Sequence, residues 1–343
     1  MKITAAILEA LNEPLVIHND IEVPNLKPGQ VLVKIKYSGV CHSQLMEARG
    51  KRGEDHYLPH MLGHEGVGEV VEIGPEVSKF SAGECVVLGW IKGDGIDSGG
   101  CVYKQGDRSI NAGGVTTFSD YAVVSENRLV TLPDGINEQV AVLLGCALPT
   151  GAGIVLNQVK PRDNSSVLVF GLGGIGLSAL LAINHFSPKN VIAIDIEPEK
   201  LQLAKMFGAT HCYLANEEGF NAFHQDFPDG VDYAIEAAGK AATIELAFEM
   251  TKRGGGQCIF ASHPAQGDKI SIDPYELICG KQLIGSWGGA SKPDQDIPKL
   301  VEIINKYELP VEKMLSKAYS LHQINQALDD LEQRKITRAL IEM

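Results

Sequence analysis

Residues 167–186 read VLVFGLGGIGLSALLAINHF. Val167–Phe170 is an apolar run too short for a helix and suited to a buried strand. Gly171, Gly173, Gly174 and Gly176 follow in a G-x-G-x-x-G turn, and residues 175–186 carry apolar side chains at helical spacing. The next apolar run, VIAID at 191–195, ends in Asp195, nineteen residues beyond Gly176. Strand, glycine turn, helix and a carboxylate at the end of the following strand together form the full dinucleotide-binding context, of which the glycines alone are a weak part. Gly171 allows the tight turn, Gly173 lets the backbone approach a pyrophosphate at the helix N-terminus, and Gly176 permits close helix–strand packing. Asp195 would accept hydrogen bonds from ribose hydroxyls and repel a 2′-phosphate. No Arg follows it, and Glu197 and Glu199 add negative charge, so NAD is expected rather than NADP.

Outward from this stretch the rhythm stays strand–helix to about residue 290. EPEKLQLAKMFGA and KAATIELAFEMTK read as helices, and HCYL, DYAI, QCIFA and QLIGS as strands, the pattern of a doubly wound parallel sheet covered on both faces. Before residue 130 the pattern differs. VLVKIKY, VGEVVEI, ECVVL and YAVVSE are short strands set off by turns such as Pro28-Gly29 and Gly74-Pro75, which indicates a β-rich sandwich or barrel. Near the end, Ile297, Leu300, Val301 and Ile304 form one helical stripe. Ser320 and Gln323 form a capping box before a second helix with Ile324, Leu328 and Leu331. The terminal RALIEM reads as a strand that returns to the β-rich domain. The expected organisation is therefore 1–155 β-rich, 156–290 nucleotide-binding, and 291–343 returning.

The chain has 343 residues, more than the ~250–300 one core usually serves, and 44% hydrophobic against 21% charged residues, which excludes a disordered or collagen-like chain. Its net charge of −13 makes it a poor general binder of nucleic acid or anionic membrane. No stretch approaches ~18 uninterrupted apolar residues, and the start, MKITAAILEALNEPL, does not read as a secretory signal. Seven scattered cysteines suit reduced thiols, so a cytoplasmic location is expected.

Cys41, His64 and Cys146 are soft or borderline ligands without a fourth cysteine, as in an open, catalytic zinc site. By spacing alone the commoner reading is two buried thiols and a structural histidine. GVCHS at 39–43, GHEGVGEV at 63–70, GCALPTG at 145–151, GLGGIG at 171–176, GSWGG at 285–289 and ITRALIEM at 336–343 together resemble the zinc-containing medium-chain alcohol dehydrogenases along essentially the whole chain. The resemblance implies a Rossmann domain inserted into a GroES-like catalytic domain, with Cys41, His64 and Cys146 holding one catalytic zinc. It further implies that Ser43 starts proton removal from the alcohol and that Glu65 can approach the metal. His42 and Arg338 would contact the cofactor pyrophosphate, Thr150 the nicotinamide and Lys200 the adenosine ribose, while Trp90 would form a wall of the substrate pocket. The implied reaction is hydride transfer between a primary or secondary alcohol and NAD. A polyol, sugar or amino-sugar dehydrogenase and, in another class, a non-catalytic NAD-binding protein are the competing readings. The implied assembly is a homo-oligomer, dimer or tetramer, acting on a small molecule.

Three positions depart from the family. The lobe that holds a second, structural zinc in many relatives contains only Cys101 here, so that zinc is expected to be absent and the lobe ordered by other contacts or mobile. Gln44 stands where many relatives have Asp, and its amide can accept a hydrogen bond from the ligand imidazole. Met46 stands where many have a proton-relaying His, which leaves His56 and His60 as the nearest alternatives in sequence.

Overall fold

The computed structural model describes residues 1–343 and divides them into two compact units. One consists of Met1–Cys146, Lys292–Pro298 and Val311–Met343; the other of Ala147–Ser291 and Lys299–Pro310. These limits differ from the expected boundaries at 155 and 290. The helix Ala147–Gly153 joins the nucleotide-binding unit because its glycines let it press on that unit's backbone: a Cβ on Gly151 would lie 2.0 Å from the Ile175 carbonyl oxygen, and one on Gly153 would lie 2.6 Å from that of Gly289. The helix Pro293–Tyr307 is divided between the units, so the segment after 291 does not return as a whole.

In the first unit, five strands close a barrel: Lys2–Leu8, Val16–Glu22, Cys101–Gln105, Arg108–Ala112 and His60–Met61. Ile3, Ile7, Ile21, Met61, Tyr103 and Ile110 fill it. A seven-stranded sheet runs Leu129–Thr131, Cys85–Leu88, Gly66–Ile73, Gln30–Val40, Ala339–Glu342 and Ala318–Ser320, with Tyr121–Ser125 also on Gln30–Val40. The C-terminal strand therefore does return to this unit, Leu340 facing Gly39 in antiparallel register. The helix Ile324–Glu332 buries Ile324, Ala327, Leu328 and Leu331, the i, i+3, i+4, i+7 face, at roughly 1.5–3 kcal/mol for each large apolar side chain. Ser320 and Gln323 form their capping box on a 3-10 turn, Leu321–Gln323, that runs into this helix.

The lobe without its cysteines is held by a carboxylate. Glu126, 1% exposed, accepts from the Ser78 and Lys79 amides at 2.9 Å through Oε1 and from the Ile96 amide at 2.8 Å through Oε2. Asp294 accepts from the Asp94 amide at 2.7 Å. Burial pushes the Glu126 carboxyl up, but the three amides outweigh it and its pKa lies below the ordinary value. Cys101 packs into the barrel core.

In the second unit six parallel strands run in the order His211–Leu214, Asn190–Asp195, Ser166–Phe170, Tyr233–Glu236, Gln257–Phe260, Gln282–Gly285. In chain order this is 3-2-1-4-5-6, the dinucleotide-binding arrangement. Its ligand crevice lies at the carboxyl ends of the strands where the order reverses, between Ser166–Phe170 and Tyr233–Glu236. The strand interiors carry Leu168, Phe170, Ile192 and Ile194 into a core closed by Phe223 and Phe248.

Candidate metal centre and dinucleotide site

Three chain segments of the first unit meet at the thiols. Cys41 caps the helix His42–Ala48 where the long strand Gln30–Val40 ends. His64 lies in the link between His60–Met61 and Gly66–Ile73. Cys146 follows the 3-10 turn Val142–Gly145. One donor atom from each of Cys41, His64 and Cys146 lies within 4.8 Å of the others. The two sulfurs are 3.8 Å apart and all seven cysteines are free. Two thiolates at tetrahedral angles on zinc, each bonded at ~2.3 Å, stand about 3.8 Å apart. Nε2 of His64 is buried with no hydrogen-bond partner, the state expected of an atom meant for a metal rather than a proton. The donor set and its spacing therefore fit zinc. The hydrogen bond between the sulfurs lowers the Cys41 thiol well below its usual value against the effect of burial, with Arg338 assisting, and keeps the proton on Cys146, whose thiol is correspondingly raised.

Glu65, fully buried beside His64, pairs with Arg338 through Oε1, while its Oε2 has no partner. Burial pushes the Glu65 carboxyl up and the Arg338 charge opposes it. Two glycines make room for it: a Cβ on Gly39 would lie 2.6 Å from Glu65 Oε1, and one on Gly145 would lie 2.8 Å from Glu65 Cβ. Its carbonyl accepts from Ser38 Oγ at 3.2 Å and Thr117 Oγ1 at 3.1 Å. Neither the ion pair nor these glycines was legible in the sequence. His42 is exposed and Ser43 half-buried in the first turn after Cys41. The Trp90 amide donates to the Gly145 carbonyl at 3.3 Å, and the Trp90 carbonyl accepts from Arg128, which ties the indole's backbone to the Cys146 segment.

Gln44 does not meet the imidazole of His64. Its Oε1 accepts from the Gly63 amide and its Nε2 donates to Glu47 Oε2 at 3.1 Å. With one methylene more than Asp, the amide reaches the backbone preceding the ligand instead of the ring. His60 bonds Asp55 Oδ2 at 2.7 Å, and His56 is exposed.

In the second unit the three glycines separate by what a methyl would meet. On Gly171, with φ +89°, a Cβ would lie 2.7 Å from the Ala238 amide nitrogen. On Gly176 it would lie 1.9 Å from the Gly171 carbonyl oxygen. On Gly173 it would meet nothing within 4 Å. Gly173 caps the helix Gly174–Ile183, so the space its missing side chain leaves lies where an anion would sit on that N-terminus. Asp195, 6% exposed, accepts from the Leu172 amide at 2.6 Å and the Glu197 amide at 3.0 Å, which anchors the glycine loop as well as ending its strand. Glu236 was missed by sequence reading. Its Oε1 accepts from the Ala238 and Gly239 amides and from Thr243 Oγ1, which holds the turn that abuts Gly171. Lys200 pairs with Glu197 at 3.2 Å. Thr150 Oγ1 is buried without a partner, and Gly289 comes so close that a Cβ there would lie 2.4 Å from the Thr150 carbonyl oxygen. The open face at Gly173 and the orphan hydroxyl at Thr150 fit a dinucleotide.

Known proteins resemble this chain along its whole length. The family model for the alcohol dehydrogenase GroES-like domain matches residues 27–134, and that for the zinc-binding dehydrogenase domain matches 174–306. An S-(hydroxymethyl)glutathione dehydrogenase of Escherichia coli O1:K1 / APEC is 32% identical over 374 aligned positions, covering 99% of this chain and all of that protein. A crystal structure of an alcohol dehydrogenase zinc-binding domain protein from Burkholderia ambifaria superposes with TM-score 0.91 at 28% identity, covering 100% of this chain and 99% of that one. Benzyl alcohol dehydrogenase from Acinetobacter calcoaceticus superposes with TM-score 0.88 at 27% identity and the same coverage.

Proposed function

From the premise that this chain belongs to the zinc-containing medium-chain alcohol dehydrogenase family, we propose that it oxidises a primary or secondary alcohol to an aldehyde or ketone with NAD⁺, and catalyses the reverse reduction. The observation that carries the reading is the convergence of Cys41, His64 and Cys146 with the sulfurs 3.8 Å apart, three protein donors that leave a fourth position for substrate. When bound, zinc would supply Lewis-acid polarisation of the alcohol oxygen and the nicotinamide would accept the hydride.

The residues around these groups have the following roles. Ser43, two residues from Cys41 in the first helical turn, relays the hydroxyl proton as the carbinol is oxidised, taking it on Oγ while passing its own proton on through the cofactor ribose to water. Trp90 walls the alcohol's side chain, held by its backbone to the Cys146 segment. Glu65 supplies negative charge behind the ligands, and Arg338 balances it while its remaining guanidinium donors serve the pyrophosphate. His42 joins it there. Gly171, Gly173, Gly174 and Gly176 cradle the phosphates, Asp195 and Lys200 bind the adenosine ribose, and Thr150 lies at the nicotinamide. Asp195 supports NAD over NADP because a carboxylate beside a 2′-phosphate is repulsive.

A homo-oligomer is part of the same reading. The strand Gln282–Gly285 is an edge of its sheet, and Ile278 and Trp287, 79% and 80% exposed, lie near it in sequence. No single helix is long and apolar enough to cross a membrane, and the free thiols support a reducing cytoplasm.

The test is an NADH-formation screen over primary alcohols, secondary alcohols, polyols and sugars, run with zinc-loaded and chelator-treated enzyme. Turnover confined to polyols or sugars would transfer the assignment to that class. NADH binding without turnover on any alcohol, or turnover untouched by zinc removal, would overturn it.

A further inference from the structure

Away from both sites, Glu47, Asp55 and His60 bring one donor atom each within 4.8 Å of one another. His60 is 8% exposed. Its Nδ1 lies 3.1 Å from the Met61 carbonyl oxygen, which can only accept, and the tautomer that donates there leaves Nε2 an acceptor. A neutral ring then turns its Nε2 lone pair to Asp55 Oδ2 at 2.7 Å, and two acceptors at that distance repel. Something positive belongs between them, either a second ring proton or a cation. A proton would satisfy Asp55 alone. Glu47 Oε1 lies 3.9 Å from the same Nε2, beyond a direct hydrogen bond, while both hydrogen bonds to Glu47, from Gln44 and Arg52, go to Oε2.

The spacing suits a metal. Ligands ~2.1 Å from an octahedral ion stand about 3.0 Å apart in neighbouring positions and about 4.2 Å apart in opposite ones. The observed 2.7 and 3.9 Å reach these values with shifts of a few tenths of an ångström. Each ligand is also held from behind by a group outside the cluster: His60 Nδ1 by the Met61 carbonyl, Asp55 Oδ1 by the Tyr57 amide at 2.8 Å, and Glu47 Oε2 by Gln44 at 3.1 Å. Ligating side chains are characteristically oriented in this way.

We propose that Glu47, Asp55 and His60 bind a second divalent cation, distinct from the ion at the thiols. One imidazole nitrogen and two carboxylate oxygens form a harder set than two thiolates and an imidazole, so manganese fits here and not at the thiols, while borderline zinc fits both. The cation joins the helix that follows Cys41 to the strand that precedes His64, and so braces two segments that carry thiol-site ligands. The inference is independent of the catalytic assignment.

The experiment is a manganese titration of the protein loaded with one equivalent of zinc, enough for the thiol site alone, with free Mn²⁺ read by electron paramagnetic resonance. It is run on the natural sequence, Asp55→Asn, His60→Gln and, as a control for the other site, Cys146→Ala. The natural sequence and Cys146→Ala should each take up one equivalent of Mn²⁺. Asp55→Asn and His60→Gln should bind it more weakly by more than the ~10–100-fold that loss of an outer orienting partner costs. Asp55→Asn, nearly isosteric, should keep its thiol-bound zinc and its circular dichroism spectrum, which separates a lost site from a lost fold. No uptake by the natural sequence, or uptake unchanged in Asp55→Asn, overturns the proposal and leaves a second ring proton as the occupant. Uptake lost only in Cys146→Ala overturns it too, by assigning the manganese to the thiols.

Discussion

Replacing Gly173 by alanine separates folding from cofactor binding with one methyl group. The backbone there has φ −75° and ψ −168°, a conformation alanine adopts without strain, and the new Cβ meets no protein atom within 4 Å. Reduced freedom of the unfolded chain even favours Ala over Gly by ~0.4–1 kcal/mol where the native conformation is compatible. Gly173→Ala should therefore melt at or slightly above the natural protein. The same methyl occupies the space through which a pyrophosphate would approach the helix N-terminus. Overpacking of this kind costs ~1–3 kcal/mol, which converts to a roughly 5–150-fold loss of NADH affinity at 1.4 kcal/mol per factor of ten. Gly176→Ala should behave in the opposite way. Its Cβ would lie 1.9 Å from a backbone carbonyl oxygen, so the Rossmann unit itself must shift and the melting temperature falls. Fluorescence titration with NADH beside a thermal melt reads both quantities. A Gly173→Ala protein that binds NADH as tightly as the natural one refutes the assignment of this loop to the pyrophosphate. One that unfolds early refutes the reading of open space.

Three further outcomes are expected. Cys146→Ala should lose alcohol oxidation and its chelator-resistant zinc while still binding NADH; full turnover without zinc would contradict the catalytic reading. Glu126→Ala removes three amide–carboxylate hydrogen bonds and should cost about 3–6 kcal/mol in urea unfolding, with new proteolytic cutting in residues 92–98. Because the folded carboxyl titrates below its ordinary value, its stabilisation is complete above the unfolded pKa and is lost as pH falls through the folded one. The difference between natural and variant proteins should shrink in acid, and an equal gap at all pH values would sink the argument. Asp195→Ala should weaken NADH binding and narrow the preference over NADPH, measured as the ratio of kcat/KM values. An unchanged ratio would mean the carboxylate serves only its bonds to Leu172 and Glu197.

Local order carried the legible part of the fold. The strand–glycine–helix unit at 167–183, the stripes at 297–304 and 324–331 and the terminal strand all express contacts between near neighbours or one buried face, so periodicity reveals them. The compact units divide at 146 rather than 155 because Ala147–Gly153 is buried on every side and gives no periodic cue to its partner; its glycines choose the second unit through close backbone approach. Gln44 was read as a substitute for an aspartate. It instead bonds the backbone at Gly63 and passes its second contact to Glu47, a choice set by side-chain length and by what lies within reach.

By itself, then, the order of residues determined the two architectures, the glycine loop with Asp195, and, through linked motifs, the three residues of the candidate metal site. Only the tertiary structure decided that the sulfurs of Cys41 and Cys146 stand 3.8 Å apart, that Arg338 neutralises Glu65, that Glu126 orders the lobe, and that Glu47, Asp55 and His60 face one point. The reason is physical. Backbone preference and apolar periodicity act over a few residues and leave a trace in the local sequence, whereas charges and ligand atoms separated by up to 273 positions meet only when the strands that carry them are paired.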